Sequence, residues 1–107
     1  MTGRTDGRPA VFLVHLLHTG PQWDPAKAME EQTHWTAHAA YMDQLVDEGV
    51  VVLGGPLDDV RVVLVMAAEP ADTVRAILRR DPWSETHLRI DRIEPWTIRL
   101  DGRRHSS

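Results

Sequence analysis

The sequence predicts one α+β domain whose secondary-structure elements follow the order β-α-β-β-α-β. Its 107 residues leave room for a single domain. Short runs that are apolar at consecutive positions predict strands covered on both faces, and two longer segments with a helical period lie between them. We expect the domain to span residues 10–101, with flexible tails at 1–9 and 102–107, because both ends are polar and lack an apolar period.

Composition restricts the chemistry that the chain can carry. It has no cysteine, which excludes a disulfide scaffold, an iron–sulfur cluster, a thiolate zinc site and a cysteine nucleophile, and which makes the cytoplasm the expected location. No apolar run approaches the ~20 residues of a membrane-spanning helix, so we expect a soluble protein with no membrane partner. The net charge is −4, and the arginines are not interleaved with stacking aromatic residues, so nucleic acid is not an expected partner.

The first strand and the first helix are predicted between residues 10 and 48. Ala10–Leu17 is apolar at both its odd and its even positions apart from His15, so both faces of the strand are apolar, which is typical of a central strand. Asp24 can cap the free amides of a helix that begins at Pro25 and runs to about Glu48. At 100° per residue, the stripe of this helix that faces the core comprises Trp35, His38, Met42, Leu45, Val46 and Gly49.

Two further strands follow this helix. Val50–Leu53 leads into the turn Gly54-Gly55-Pro56, where glycine permits a positive φ or the close approach of another group. A short connection pairs this strand with Val60–Ala67, which is again apolar on both parities.

A second helix and a last strand complete the domain. The helix runs from Glu69 to about Arg80, with an acid in its first turn and arginines in its last, as the helix dipole favours. The strand begins near Leu88, and a bulge is expected near Arg92–Pro95 because Ile93 breaks the apolar parity.

This order is the ferredoxin-like βαββαβ plan, a four-stranded antiparallel sheet with two helices on one face. The helices cover only that face, yet strands 10–17 and 60–67 are apolar on both. A second copy stacked on the open face would cover it, because a two-fold interface lets one patch serve both subunits. We therefore predict a homodimer with the architecture of a dimeric α+β barrel.

Histidines and one aspartate are the candidates for chemistry. His38, on the core stripe, is either a core histidine bonded to a carbonyl or a general base tuned by burial and a carboxylate. Asp81, at an Asp-Pro step after the second helix, has a plain interpretation as the cap of a turn. His34 and His38 have the i, i+4 spacing of two metal ligands, but no third histidine has ligand spacing. His15 and His18 are expected on opposite strand faces, with His18 at the strand end in solvent.

The tryptophans, by default core residues, could also line a pocket for a flat aromatic ligand.

Four short motifs occur at characteristic spacing along the chain. They are His38 followed by Tyr41-Met-Asp-Gln-Leu45, then Gly55-Pro56, then Asp81-Pro82-Trp83, then Pro95-Trp96. Together they resemble the motifs of the YciI-like (YCII-related) family, over about Phe12 to Leu100.

The resemblance implies a pocket between the first helix and the sheet, with His38 and Asp81 as a catalytic pair. The substrate-binding residues expected around that pair are His15, Trp35, Gly55, Pro56 and Trp83. The family includes a cofactor-independent enzyme that removes hydrogen chloride from a chlorinated hydroxyquinol, and the wider superfamily holds lactone isomerases and cofactor-free oxygenases. Two positions depart from the family pattern, because Trp35 replaces an arginine and His87 replaces a glycine.

Three functions follow as hypotheses. The first is a small cofactor-independent lyase or isomerase that acts on a phenolic, quinone-like or lactone compound, with His38 as proton acceptor and Asp81 as its orienting partner. The alternative is a non-catalytic dimer that binds a small molecule or assists another protein. The third is a metal-binding protein that uses His34 and His38. The first two need no cofactor and no metal.

Overall fold

The computed structural model describes residues 10–103 and confirms the ferredoxin-like plan. The elements, in chain order, are β1 (Ala10–Leu17), a 3-10 turn (Met29–Glu31), α1 (Trp35–Asp47), β2 (Val51–Pro56), β3 (Arg61–Met66), α2 (Ala71–Arg79) and β4 (Arg89–Thr97). The strands form one sheet in the order β2-β3-β1-β4, and each neighbouring pair is antiparallel. Of the two predicted tails, the one at 1–9 lies outside the described residues, and the one at 102–107 does so from residue 104 onward. No helix in the described range is long and apolar enough to cross a membrane.

Both helices pack on one face of the sheet, which we call the inner face. From the sheet, Val14, Leu16, Leu64 and Met66 enter a buried cluster that also contains Leu45 of α1 and Val74 and Leu78 of α2. In α2 the two buried residues are four positions apart, so one stripe of the helix meets the sheet while its arginines and Asp72 face outward. The amphipathic period of this helix therefore sets its orientation on the sheet.

The helix predicted from Pro25 begins only at Trp35. His34 adopts a left-handed conformation with φ 62°, which interrupts a helix at that residue. The buried side chain of Gln32 accepts a hydrogen bond from the Asp24 backbone N–H and donates to the carbonyls of Asp24 and Lys27. In a helix these backbone groups would bond to one another. Here they bond to the Gln32 side chain instead, so the segment forms a loop, and the predicted helix start at Pro25 was wrong for that reason.

The bulge in the last strand lies slightly earlier than predicted. His15 pairs with Arg92 and Leu16 pairs with Ile90, so Asp91 is the extra residue of β4. The extra residue puts Ile90 and Ile93 on the same face, where both pack against the core. The predicted interruption at Arg92–Pro95 is corrected accordingly.

The other face of the sheet, which we call the outer face, carries no helix. Alternation places Leu13 and His15 of β1 and Val63 of β3 there, because their neighbours along the strand enter the core. Leu53 and Trp96 on the same face are 47% and 45% exposed. The outer face is therefore apolar, as the doubly apolar strands indicated, and partly open in the single chain, since Leu53 and Trp96 are exposed on it whereas Val11 and Val65 are buried.

At two positions glycine is required because another backbone segment lies too close for a side chain, and not because φ is positive. A Cβ built on Gly20 would lie 2.4 Å from the carbonyl carbon of Thr86, so the loop after β1 touches the backbone of the loop after α2. A Cβ on Gly54 would lie 2.9 Å from the carbonyl of Val63, whereas Gly55 has open space around it. Both glycines of the predicted turn lie inside β2, and only Gly54 needs the absence of a side chain.

Candidate active site

His38 and Asp81 are in direct contact at the end of α2. His38 Nδ1 lies 2.8 Å from Asp81 Oδ1 and 2.9 Å from Oδ2. A carboxylate only accepts hydrogen bonds, so Nδ1 carries the hydrogen and donates it to Asp81. The side chains are only 10% and 5% exposed, which shields the pair from water. In the neutral form of this ring the lone pair is on the second nitrogen, Nε2, which is therefore the atom that could take a proton.

Asp81 also performs the turn-capping role that its sequence context indicated. Its Oδ1 accepts a hydrogen bond from the backbone N–H of Trp83 at 2.9 Å, and its carbonyl accepts one from Ser84. Three donors therefore converge on Asp81: one is the His38 ring and two are backbone amides. The plain and the functional interpretations of Asp81 are compatible, because the cap fixes the carboxylate beside the imidazole.

The indole of Trp83 lies between two histidine rings. It stacks on His38 with ring centres 4.0 Å apart and on His87 with centres 4.9 Å apart. Trp83 Nε1–H donates to the carbonyl of Thr33, and the hydroxyl of Thr33 lies 2.9 Å from His87 Nε2. Trp83 and His87 are fully buried. This stack fixes the plane of the His38 ring.

A cavity of about 150 Å³ lies between α1 and the inner face of the sheet. Its walls include Trp35, His38 and Met42 from α1 together with residues of β1, β2 and β3. The lining side chains are apolar apart from His18 and His38. A cavity of this size holds one aromatic ring. The predicted pocket between the first helix and the sheet is therefore present and suits a small, flat, apolar group.

A wider open groove of about 850 Å³ adjoins the cavity. His18, Met29 and Pro56 line both, so the two spaces lie next to each other at these residues. The outer part of the groove lies between the loop at residues 24–29 and the β2–β3 hairpin. At its hairpin edge, hydrogen bonds from the backbone N–H and the guanidinium of Arg61 hold the pKa of Asp58 at about 2.

His18 is the residue of this site that sequence reasoning missed. We expected it in solvent, but it is 7% exposed and lines the cavity beside His38. Its Nδ1 lies 3.1 Å from the carbonyl of Asp59, and its ring stacks on Trp23. A signal was available in the sequence, since His18 shares the parity of Val14 and Leu16 and therefore belongs to the inner face.

The structure brings most of the predicted substrate-binding residues to the cavity. Trp35, Gly55 and Pro56 line it. Trp83 lies behind His38 and supports the ring rather than the cavity wall. His15 is on the outer face, where its Nε2 contacts Glu94 at 2.7 Å. Strand alternation separates His15 from His38, so its assignment to the same pocket is corrected.

The pair His34 and His38 does not form one side of a helix, because His34 precedes α1 with a left-handed backbone. The ring of His34 lies against that of His87, while His38 contacts Asp81. Within residues 10–103, no group of three or more histidine, aspartate or glutamate side chains is arranged to hold a metal ion.

Two buried histidines make the fold sensitive to acid. Burial lowers the pKa of His87, and charge repulsion from His34 and His38 lowers it further. Burial also lowers the pKa of His18, although the hydrogen bond to the Asp59 carbonyl acts in the opposite direction. Because the folded-state pKa lies below the unfolded value of 6.5 for each, the unfolded chain binds more protons as the pH falls. The contribution of each neutral histidine to the free energy of unfolding is therefore fully present above pH 6.5 and is lost as the pH falls below it.

We expect the free energy of unfolding to be lower at pH 5.5 than at pH 7.5 by at most about 1.4 kcal/mol for each of these two histidines, because the unfolded ring takes up its proton only around and below its pKa of 6.5. Urea unfolding followed by circular dichroism at both pH values measures this difference. The variant His87→Gln should have a shallower pH dependence, because one titrating ring is removed. A wild-type unfolding midpoint that does not change between these pH values would contradict the assignment.

The family comparison agrees with the geometry. The family model described as the YCII-related domain matches residues 16–97, from the end of β1 to the end of β4. The matched range contains both members of the His38–Asp81 pair and every residue that lines the cavity. Neither the comparison with curated proteins nor that with solved structures gives a match.

Proposed function

Because the chain belongs to the YCII-related family, we propose that it is a cofactor-independent enzyme of lyase or isomerase type. Its substrate is a phenolic, quinone-like or lactone small molecule whose ring enters the cavity beside His38. The observation that carries this proposal is the buried hydrogen bond from His38 Nδ1 to Asp81, which leaves Nε2 available as a base at a wall where the other side chains, His18 excepted, are apolar.

The chemistry of the pair fits the removal of an acidified proton. His38 Nε2 takes the proton from a carbon or hydroxyl of the substrate, and the Asp81 carboxylate stabilises the imidazolium that forms. In an isomerisation the proton returns to another atom of the same molecule. In an elimination the electron pair of the broken bond expels an anionic leaving group, and the proton is later released to water. A cytoplasmic location is part of the proposal, since a chain without cysteine needs no oxidising compartment.

Proton exchange tests this proposal even where the reaction product is not identified. Purified protein is incubated in D₂O with chlorinated hydroquinones, substituted phenols and unsaturated lactones, and NMR follows deuterium incorporation and product formation. We expect at least one compound to exchange or react, at a rate that EDTA does not change. Activity that disappears with EDTA and returns with zinc would overturn the single-base mechanism in favour of metal chemistry.

One observation favours the alternative of a non-catalytic dimer that binds a small molecule or assists another protein. Trp35 lines the cavity at the position where the family pattern has an arginine, so no cation of the described cavity wall faces an anionic substrate. A binding module would retain ligand affinity in His38→Asn. Compounds from the same panel that bind the cavity but neither exchange nor react would support this alternative.

We also propose that the outer face is the interface of a homodimer. Its apolar surface comprises Leu53 and Trp96, which are exposed, and Leu13 and Val63, which are half-buried, and a two-fold partner would cover the same surface on both copies. The hydrogen bond between His15 Nε2 and Glu94 lies within this surface and would be shielded with it.

Light scattering at micromolar concentration is expected to give the mass of a dimer. Leu53→Glu should shift the mass toward the monomer, because it puts a charge in the proposed interface. Val46→Glu is the matched control: Val46 is 52% exposed, similar to Leu53 at 47%, but it lies on α1 away from the outer face. A monomeric wild-type protein, or equal effects of the two substitutions, would contradict this interface.

A further inference from the structure

His18 has no part in the reaction proposed above, yet it lies in the same cavity. It follows the last residue of β1, and its backbone N–H donates to the carbonyl of Val60 at 2.7 Å. This bond continues the pairing of β1 toward the hairpin, so the inner-face alternation extends to His18. The side chain therefore enters the cavity from the sheet, while that of His38 enters from α1.

The hydrogen bond of His18 fixes which of its nitrogens carries the hydrogen. A backbone carbonyl only accepts, so His18 Nδ1, 3.1 Å from the carbonyl oxygen of Asp59, is the donor. The ring also stacks on Trp23 with centres 3.9 Å apart and planes inclined by 4°. These two contacts hold the ring in one orientation, with Nε2 as its hydrogen-bond acceptor.

The Nε2 atom of His18 is open to the cavity. Within the described part of the chain, no side-chain nitrogen or oxygen that is buried from solvent lacks a hydrogen-bond partner. The hydrogen bond that His18 makes through its side chain involves Nδ1, so Nε2 must be reached by solvent. Because the residue as a whole is 7% exposed, the cavity and the adjoining groove are the spaces from which Nε2 is reached.

The surroundings of His18 keep its ring neutral at neutral pH. Burial lowers its pKa, and repulsion from His38 acts in the same direction. The carbonyl hydrogen bond and the carboxylates of Asp58 and Asp59 in the hairpin oppose this, but the net direction is down. The two histidines thus differ in their partners, since His38 donates to a carboxylate and His18 to a neutral carbonyl.

We propose that His18 determines ligand specificity: its Nε2 accepts a hydrogen bond from a hydroxyl or N–H group on the ring that fills the cavity between His18 and His38. The ligand class is therefore an apolar ring that bears a hydrogen-bond donor. This inference rests on the proposed use of the cavity, but it assigns His18 to binding rather than to proton transfer. A ring without a donor would leave the Nε2 atom dehydrated and unpaired, which disfavours it.

Phenol and toluene test this assignment, since they differ by a hydroxyl in place of a methyl group. NMR titration gives the dissociation constant of each probe for wild-type protein, His18→Asn and His18→Gln. Asparagine can retain a donor at the position of Nδ1 but has no atom at Nε2, whereas glutamine can place an acceptor near Nε2. The ratio of the toluene constant to the phenol constant is compared between proteins, so that the different hydration of the two probes cancels.

We expect this ratio to fall about three- to tenfold in His18→Asn and to change less in His18→Gln. In the wild-type protein, phenol and not toluene should shift the ¹⁵N resonance of His18 Nε2, and this measurement needs no variant to fold. A ratio unchanged in His18→Asn, or a His18 resonance that does not respond to phenol, would overturn the inference while leaving the exchange test of His38 intact. Failure of both probes to perturb any cavity residue would overturn the proposed site as well.

Discussion

Replacing His38 by asparagine is expected to lower turnover by about 10²–10⁴-fold while the protein remains folded. The asparagine amide can donate to the Asp81 carboxylate as Nδ1 does, so the buried carboxylate keeps a partner. What the variant loses is Nε2, the atom that would accept the proton from the substrate. The rate is measured on whichever compound of the panel reacts, and circular dichroism checks the fold.

Two further variants separate the base from its surroundings. Asp81→Asn should reduce the rate less than His38→Asn, because the imidazole remains but loses the charge that stabilises its protonated form. His34→Gln replaces an exposed histidine four residues before His38 and should leave the rate unchanged. Full activity in His38→Asn, with the substrate still bound in the cavity, would exclude His38 as the base.

Trp83→Ala is expected to reduce the free energy of unfolding by about 3–5 kcal/mol, the usual cost of removing a large buried aromatic side chain. The indole is fully buried and contacts His38 and His87 on its two faces. The substitution also leaves the Thr33 carbonyl without the Nε1–H donor. Since small domains are stable by only about 5–15 kcal/mol, this loss is a large part of the total.

Urea unfolding measures the change in the free energy of unfolding. The variant Trp83→Phe provides an intermediate substitution. Phenylalanine keeps a ring between the two histidines and removes the hydrogen bond, so a smaller loss of about 1–3 kcal/mol is expected. Leu100→Ala, at a residue 77% exposed, should change stability by less than about 0.5 kcal/mol. Equal stability of Trp83→Ala and the wild type would show that the stack does not stabilise the domain.

The sequence was sufficient for the order of the elements because the strands and α2 have clear periods. The start of α1 was not predictable, since it depends on Gln32 pairing with backbone groups of Asp24 and Lys27 in the folded loop. No local pattern reports such a contact. The position of the bulge was predicted only to within a few residues, because an isoleucine out of phase shows that an extra residue exists but not which residue it is.

The candidate site was likewise predicted only in part from the sequence. The contact between His38 and Asp81 could be anticipated from the core stripe of α1 together with the family resemblance. The parity of His18 indicated its face of the sheet but not its burial, because the apolar run of β1 ends one residue before it. The loop after β1 extends the burial: Trp23 returns over the His18 ring, and Gly20 brings the loop against Thr86 and His87. Burial of His18 is thus a property of the loop rather than of the strand.

The loop at residues 25–29 and the hairpin at 57–60 form the outer walls of the groove, whereas the His38–Asp81 pair is held by α1 and by the turn after α2. Loops at the surface accept sequence change more readily than packed elements. In this fold the parts that would recognise the outer portion of a ligand are therefore separable from the parts that would carry out the reaction. For protein engineering, randomising the exposed positions Lys27, Ala28 and Leu57 is a direct way to alter ligand range while the buried stack of rings is retained.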